Sequence, residues 1–304
     1  MPIISVADDT RLHARLIGPA HRPALLMIQG LGMQATDWPR ALLGALAAHR
    51  CLILFDNRDY GRSSLCGPAI DPTLRETDYP FAPIAPTEAP YSLHDMAVDA
   101  LRLLDALRIE RADVLGFSMG GMIGQIMAAQ WPGRVRALVS LMSSGGQAVL
   151  PADTPGARAL ARMIVHVPDR ARLIRLMTDA QRLWSGPHHA IAAKAVARHL
   201  ELGYRRCYRP AAIHRQAVAY ASAGDRSDLL RRIRCRSLVI HGAADPVIPL
   251  SFAEAAARLI PGSHMLTLPD GAHDLHPALL PRLSAAILAH LGTAADSPRD
   301  AAAR

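Results

Sequence analysis

Hydrophobic positions along this chain alternate between two periods, and the alternation is the first thing to read. Ala24–Ile28, Cys51–Phe55, Ala112–Phe117 and residues 135–142 are short, nearly unbroken apolar runs. Runs of that length predict strands covered on both faces. Residues 12–17 instead alternate, as a half-buried strand does. Between the runs the spacing lengthens to a helical one. Asp37 is placed to cap a helix over 39–48, with Pro39 in its first turn. Ser92 and Asp95 form a capping box ahead of Leu93, Met96, Ala97, Ala100, Leu101, Leu104 and Leu107, which share one helical face. A further helix begins near Met119 and stops at Trp131-Pro132-Gly133. Strand and helix taking turns predicts an α/β fold, with a mostly parallel sheet, right-handed crossovers and helices on both faces.

The alternation breaks after Gly146. From 150 to 228 only helical pieces are legible (156–167, 170–183, 188–202 and 211–221), punctuated by prolines. Strands resume at 237–240 and 265–268, with a helix between them that Ser251 and Glu254 are placed to cap. A last helix runs to about Leu291. The reading is therefore a core formed by 1–148 and 229–292, a helical cap inserted at 149–228, and a disordered tail at 293–304. Met163, Met177, Leu183, Trp184 and Tyr204 suit either the core of that cap or the lining of an apolar pocket. Six prolines between 67 and 90 predict a long extended excursion in place of helix or sheet.

Composition alters this picture little. The net charge is +8, yet Lys194 is the only lysine and the arginines are scattered without interleaved aromatics. That distribution predicts a solvated surface and no nucleic-acid partner. The four cysteines are far apart and no histidine stands at ligand spacing beside them, so neither a metal nor another cofactor is expected. No stretch resembles a signal peptide or a membrane span, which predicts a cytoplasmic protein with no membrane partner, monomeric or homodimeric.

Chemistry enters at Gly116-x-Ser118-x-Gly120. A serine on a sharp strand-to-helix turn holds strained backbone angles, and glycines two residues away remove the collisions that side chains would make there. The helix N-terminus then directs N–H groups toward an oxyanion. A serine hydroxyl needs a base, and that base needs an orienting carboxylate, which in this arrangement follow in the order serine, acid, histidine. Asp245 lies past the strand 237–240 and His273 past the strand 265–268, so all three sit at strand carboxyl ends. His276 belongs to the last helix, and His264 to the opposite edge of the sheet. An acid after 135–142 is excluded, since 142–146 hold no carboxylate. Two oxyanion donors are expected: the N–H of Met119, next to the serine, and the N–H of Leu31, between Gly30 and Gly32.

These residues make the chain resemble the α/β-hydrolase family. The resemblance is carried by Gly116-x-Ser118-x-Gly120-Gly121, Asp56-x-Arg58-Asp59-x-Gly61-x-Ser63, Gly242-x-x-Asp245-Pro246 and Gly271-x-His273. It implies a Ser118–His273–Asp245 triad and a helical cap inserted after the sixth strand. Residues 55–63 and 95–121 look most like the aclacinomycin methylesterase group, bacterial esterases that remove a methyl ester from polyketide-type compounds. The chain departs from many relatives in carrying Gln29-Gly30 where they have His-Gly, and in its longer 67–90 excursion. In such loops Arg58 is a structural ion-pair partner, with Asp56 or Asp59 the nearest candidates. The family's dehalogenases and epoxide hydrolases carry aspartate at the elbow, so serine points to acyl transfer. The expectation is a serine hydrolase of a small carboxylic ester acting through an acyl-enzyme. Thioesterase, lactonase, amidase, C–C hydrolase and perhydrolase activities remain open, as does a silent ligand-binding receptor.

Overall fold

The computed structural model describes residues 3–7, 9–147 and 154–292. The expected tail at 293–304 and the first residues of the expected cap lie outside that range. The first half of the chain runs β1 (Ile3–Ser5), β2 (Arg11–Ile17), β3 (Ala24–Ile28), α1 (Arg40–Ala47), β4 (Cys51–Phe55), α2 (Leu93–Ala106), β5 (Ala112–Phe117), α3 (Met119–Gln130) and β6 (Val135–Leu141). Among the described residues five α-helices follow without a strand: α4 (Pro155–Ala161), α5 (Arg170–Ser185), α6 (Ala193–Arg206), α7 (Pro210–Ala221) and α8 (Ser227–Arg231). The chain ends with β7 (Arg236–Gly242), α9 (Leu250–Leu259), β8 (His264–Leu268) and α10 (Leu280–Leu291).

The strands form one sheet in the order β1-β2-β4-β3-β5-β6-β7-β8. The pairs from β4 through β8 are parallel, while β1–β2 and β2–β4 are antiparallel. Every residue of β3, β4 and β5 is buried, as two-sided cover requires. One face packs against Leu42 and Leu46 of α1 and Leu283 and Ile287 of α10. The other packs against α2 and α3, through residues such as Met96, Leu104, Ile123 and Met127. Helix α3 is buried on all sides, because the helices beside it close over the face it does not turn to the sheet. Chain order reverses direction around β3, and the crevice beyond the carboxyl ends of β3 and β5 is where such sheets bind ligands. Among the described residues no helix is long and apolar enough to cross a membrane.

The capping box ahead of α2 forms as expected: Asp95 N–H donates to Ser92 Oγ at 3.1 Å, and Ser92 N–H to Asp95 Oδ2 at 2.8 Å. Two other caps do not. Helix α1 starts after Pro39 without a side-chain cap, and Asp37 instead accepts from Gln34 N–H at 2.7 Å and pairs with His199. Helix α9 starts two residues earlier than a Ser251 cap requires, with Pro249 ahead of it, so Ser251 lies inside the first turn. Proline's fixed φ starts both helices, and that signal competes with a nearby hydroxyl or carboxylate. Strand β1 went unread because three residues with one half-buried position carry no period. The 67–90 excursion holds two 3-10 turns, Glu76–Asp78 and Pro86–Glu88. It lies along α7, with Ile84 N–H bonded to Ala221 O and Ala211 N–H to Ala69 O.

Candidate active site

Ser118 stands between β5 and α3 with φ 53° and ψ −120°, a left-handed conformation that strains a non-glycine residue. Such strain costs about 1–3 kcal/mol and persists only where the surroundings over-determine it. Here they do. Ser118 N–H donates to Leu141 O at 2.9 Å, and Ser143 Oγ donates to Ser118 O at 2.8 Å. A methyl group at Gly116 would strike the backbone of Gly120, and one at Gly120 would strike the Ile28 carbonyl. The two glycines therefore let α3 start against β3 and β5 with no side chain in the way.

The three sequence-predicted side chains meet. His273 Nε2 lies 3.2 Å from Ser118 Oγ, and His273 Nδ1 lies 2.7 Å from Asp245 Oδ2. They come from the loops after β5, β7 and β8, 155 residues apart at the extremes. Asp245 is fully buried and saturated with donors. Its Oδ1 accepts the N–H groups of Val247 and Ile248, each at 2.8 Å, so the turn after β7 holds it fixed. Burial alone raises its pKa. The charge of His273 and the hydrogen bonds from His241 and His273 outweigh burial and hold the carboxyl well below the usual range. Asp245 is thus an anion throughout the neutral range. A hydroxyl, an imidazole and a fixed carboxylate in line can move a proton from the serine and hold the resulting imidazolium.

The loop after β3 passes beside the serine. A methyl group built on Gly30 would stand 3.2 Å from Ser118 Cβ, which brings Leu31 to the same edge. Among the described residues no acceptor engages the N–H of Leu31 or Met119. Gln29 is buried, its amide donating to Phe55 O while Asn57 donates to Gln29 O at 3.1 Å. These bonds tie the ends of β3 and β4 together. No group of three or more His, Cys, Asp or Glu side chains among the described residues is arranged to hold a metal ion.

Other expected partners change. Arg58 pairs with neither Asp56 nor Asp59: its Nε and Nη2 hold both oxygens of Asp99 on α2, at 2.5 and 2.7 Å. The loop after β4 points its two aspartates the other way. Asp56 takes Arg206 at 2.5 Å, from the end of α6, and Asp59 takes Arg215 at 2.6 and 2.8 Å, from the middle of α7. His276 caps the 3-10 turn Pro277–Leu279 ahead of α10, accepting Ala278 N–H, and stacks on His189.

Other residues reach the site from outside the motifs. His241, buried at the end of β7, reaches Asp245 Oδ2 at 3.2 Å and Ile248 O at 2.9 Å. Its position just ahead of Gly242-x-x-Asp245 was the available signal. Trp184 O accepts His273 N–H at 2.8 Å, and Ser185 Oγ donates to Asp274 at 2.5 Å, so the end of α5 holds the histidine loop. Nothing in the local sequence connects those residues. Met163 and Ile213 reach Gly32, where an added methyl group would meet them at 2.8 and 3.1 Å.

Comparison with known proteins bears on the fold that carries these residues. A family model described as alpha/beta hydrolase fold matches residues 23–277. Rhodomycin D methylesterase from Streptomyces peucetius is 28% identical over 306 residues, covering 93% of this chain and 95% of that protein. The crystal structure of a hydrolase from Pseudomonas aeruginosa superposes with a TM-score of 0.72 at 26% identity, covering 96% of this chain and 98% of that one. The enol-lactonase from Burkholderia xenovorans has a TM-score of 0.70 at 20% identity, a likeness of fold, with 95% and 99% covered.

Proposed function

The chain belongs to the alpha/beta hydrolase family, and on that premise we propose that it is a serine hydrolase of small carboxylic esters, with a methyl ester the leading candidate. The observation that carries the reading is the line Asp245–His273–Ser118, at 2.7 and 3.2 Å, on strained and buried supports. In the first step His273 Nε2 takes the Ser118 proton as Oγ attacks the ester carbonyl. Asp245 holds the Nδ1–H and stabilises the imidazolium. The N–H groups of Leu31 and Met119 receive the oxyanion. The imidazolium then protonates the departing alcohol, leaving an acyl group on Ser118. Water, deprotonated by His273, attacks that acyl group, and the proton returns to Ser118 as the acid leaves. Helices α4–α8 act as the cap over this edge, and Met163 and Ile213 stand at the acyl side of the pocket.

The methyl-ester preference rests on the likeness to the Streptomyces methylesterase. The test combines a fluorophosphonate label with a panel of methyl, ethyl and aryl esters. One label per chain, located at Ser118, is expected, with turnover in Ser118→Ala reduced by about 10⁶-fold. An intact protein that takes no label, or a Ser118→Ala protein that keeps its turnover, ends this reading.

A further inference from the structure

Arg226 is 4% exposed, yet its guanidinium meets almost nothing that a buried cation requires. Nη2 donates to Ser144 Oγ at 2.9 Å, while Nε and Nη1 are buried and have no hydrogen-bond partner among the described residues. Among the described residues no carboxylate forms an ion pair with it, and Asp225 acts on it only through its charge. The adjacent Asp225 is turned onto Ser227, holding both its N–H and its hydroxyl, and Asp95 is turned back onto Ser92. A buried arginine keeps its charge, and unmade hydrogen bonds to a buried charge are among the most costly a fold can carry. Such a group points to an anion brought from outside.

The same arginine lines a cleft of about 240 Å³ between α2, α3 and α8. Leu93, Ile126, Ala223 and Leu229 make most of its wall apolar, and the exposed His94 and Gln130 stand at its rim. Ser92, Leu93 and His94 are the N-terminal turn of the 14-residue helix α2, whose first N–H groups precede any intrahelical acceptor. Partial positive charge from that turn, met in part by Asp95, adds to the guanidinium. The cleft is separate from Ser118: Ile126 is eight residues further along α3, roughly 12 Å at 1.5 Å per residue. We propose that this cleft binds a small organic carboxylate, its carboxylate on Arg226 and the first turn of α2 and its apolar body against Leu93, Ile126 and Leu229. The volume is below the 300–1,000 Å³ or so of pockets for drug-sized ligands, which favours a monocyclic or short-chain acid. The apolar lining distinguishes such an acid from inorganic phosphate.

Titration of the full chain with benzoate, benzamide and inorganic phosphate tests this, in a Ser118→Ala background and followed by calorimetry and by the fluorescence of Trp131, whose ring lies 5.3 Å from His94. Benzoate is expected to saturate one site with a dissociation constant of about 1 mM or tighter, and benzamide to bind at least about tenfold more weakly. Arg226→Met removes the charge but keeps the backbone bond from Arg226 N–H to Gly146 O, and is expected to cost about tenfold or more in benzoate affinity. Should that variant fail to fold, Ala223→Asp supplies a carboxylate of the chain's own at the cleft, and the same loss is expected. Benzoate held at the hydrolytic site would be indifferent to both substitutions, so unchanged affinity overturns the proposal. So does an absence of benzoate binding, or binding of phosphate alone.

Discussion

The edge of the sheet and the helical segment laid over it are held by different kinds of bond. At the sheet edge, backbone groups and glycines set positions: Leu141 O and Ser143 fix Ser118, and Val247 and Ile248 fix Asp245. The helical segment is fastened by side chains, chiefly Arg206 on Asp56 and Arg215 on Asp59, with Gln216 reaching Gly32 N–H and Arg58 O. Helix α6 has no fully buried residue at all, whereas α3 is buried along nearly its whole length. Backbone geometry suits a site that must keep distances to a few tenths of an ångström. Charged pins suit the cap proposed for these helices, since they fix its place without dictating the apolar side chains around them.

The largest effect that would sharpen this contrast belongs to Asp245→Asn. Val247 and Ile248 keep the amide oxygen where Oδ1 was, so the amide NH₂ faces His273 Nδ1 and imposes the wrong tautomer. A loss of about 10⁴-fold in kcat is expected at unchanged fold. This substitution also carries a pH signature. The folded carboxyl is held below its unfolded value, so its stabilisation is full above about pH 4 and fades as pH falls further. The stability gap between wild type and Asp245→Asn, measured by denaturant melts, should therefore be complete at pH 7 and narrow below pH 4.

Next comes the fastening. Arg206→Met leaves Asp56 buried with the N–H groups of Ala35 and Arg62 but no guanidinium. Breaking a buried pair from one side costs about 3–5 kcal/mol, and the surviving donors place this one near the lower figure. Equilibrium unfolding measures it, and KM should rise more than kcat falls. An equal loss in kcat with KM unchanged would show that the sheet edge needs the helices for its own geometry. The smallest effect is at His199, whose imidazole lies 3.1 Å from Asp37 and is half exposed. The hydrogen bond to Asp37 raises its pKa, so the pair is fully stabilising below about pH 6.5 and is lost as pH rises beyond that. His199→Gln should cost less than about 1 kcal/mol at pH 5.5 and nothing at pH 9, read as a difference in Tm.

Much of the site was legible because its residues announce local geometry. Gly116-x-Ser118-x-Gly120 encodes a strained turn, and Asp245 and His273 each follow an apolar strand, so the sheet order alone brings them to one edge. The end of α5 was not legible, because its bonds to the histidine loop join residues 89 apart and no short-range pattern carries that. His241 stands only four residues before Asp245, yet its part depends on the turn after β7 folding its ring against that carboxylate. Arg58 shows the same limit. Two aspartates stand next to it in the chain, yet its partner is Asp99, 41 residues away, because Asp56 and Asp59 turn toward the helical segment.

Periodicity in the chain thus determined the α/β order, the break in it after Gly146, and the residue types that meet at the strand ends. Those are consequences of backbone hydrogen bonding and of which faces avoid water, and both are written locally. Tertiary structure decided the rest: which carboxylate each arginine takes, what anchors the histidine loop, and that Arg226 is buried with donors to spare. An ion pair is strong only after burial lowers the dielectric around it, and burial is a property of the assembled fold.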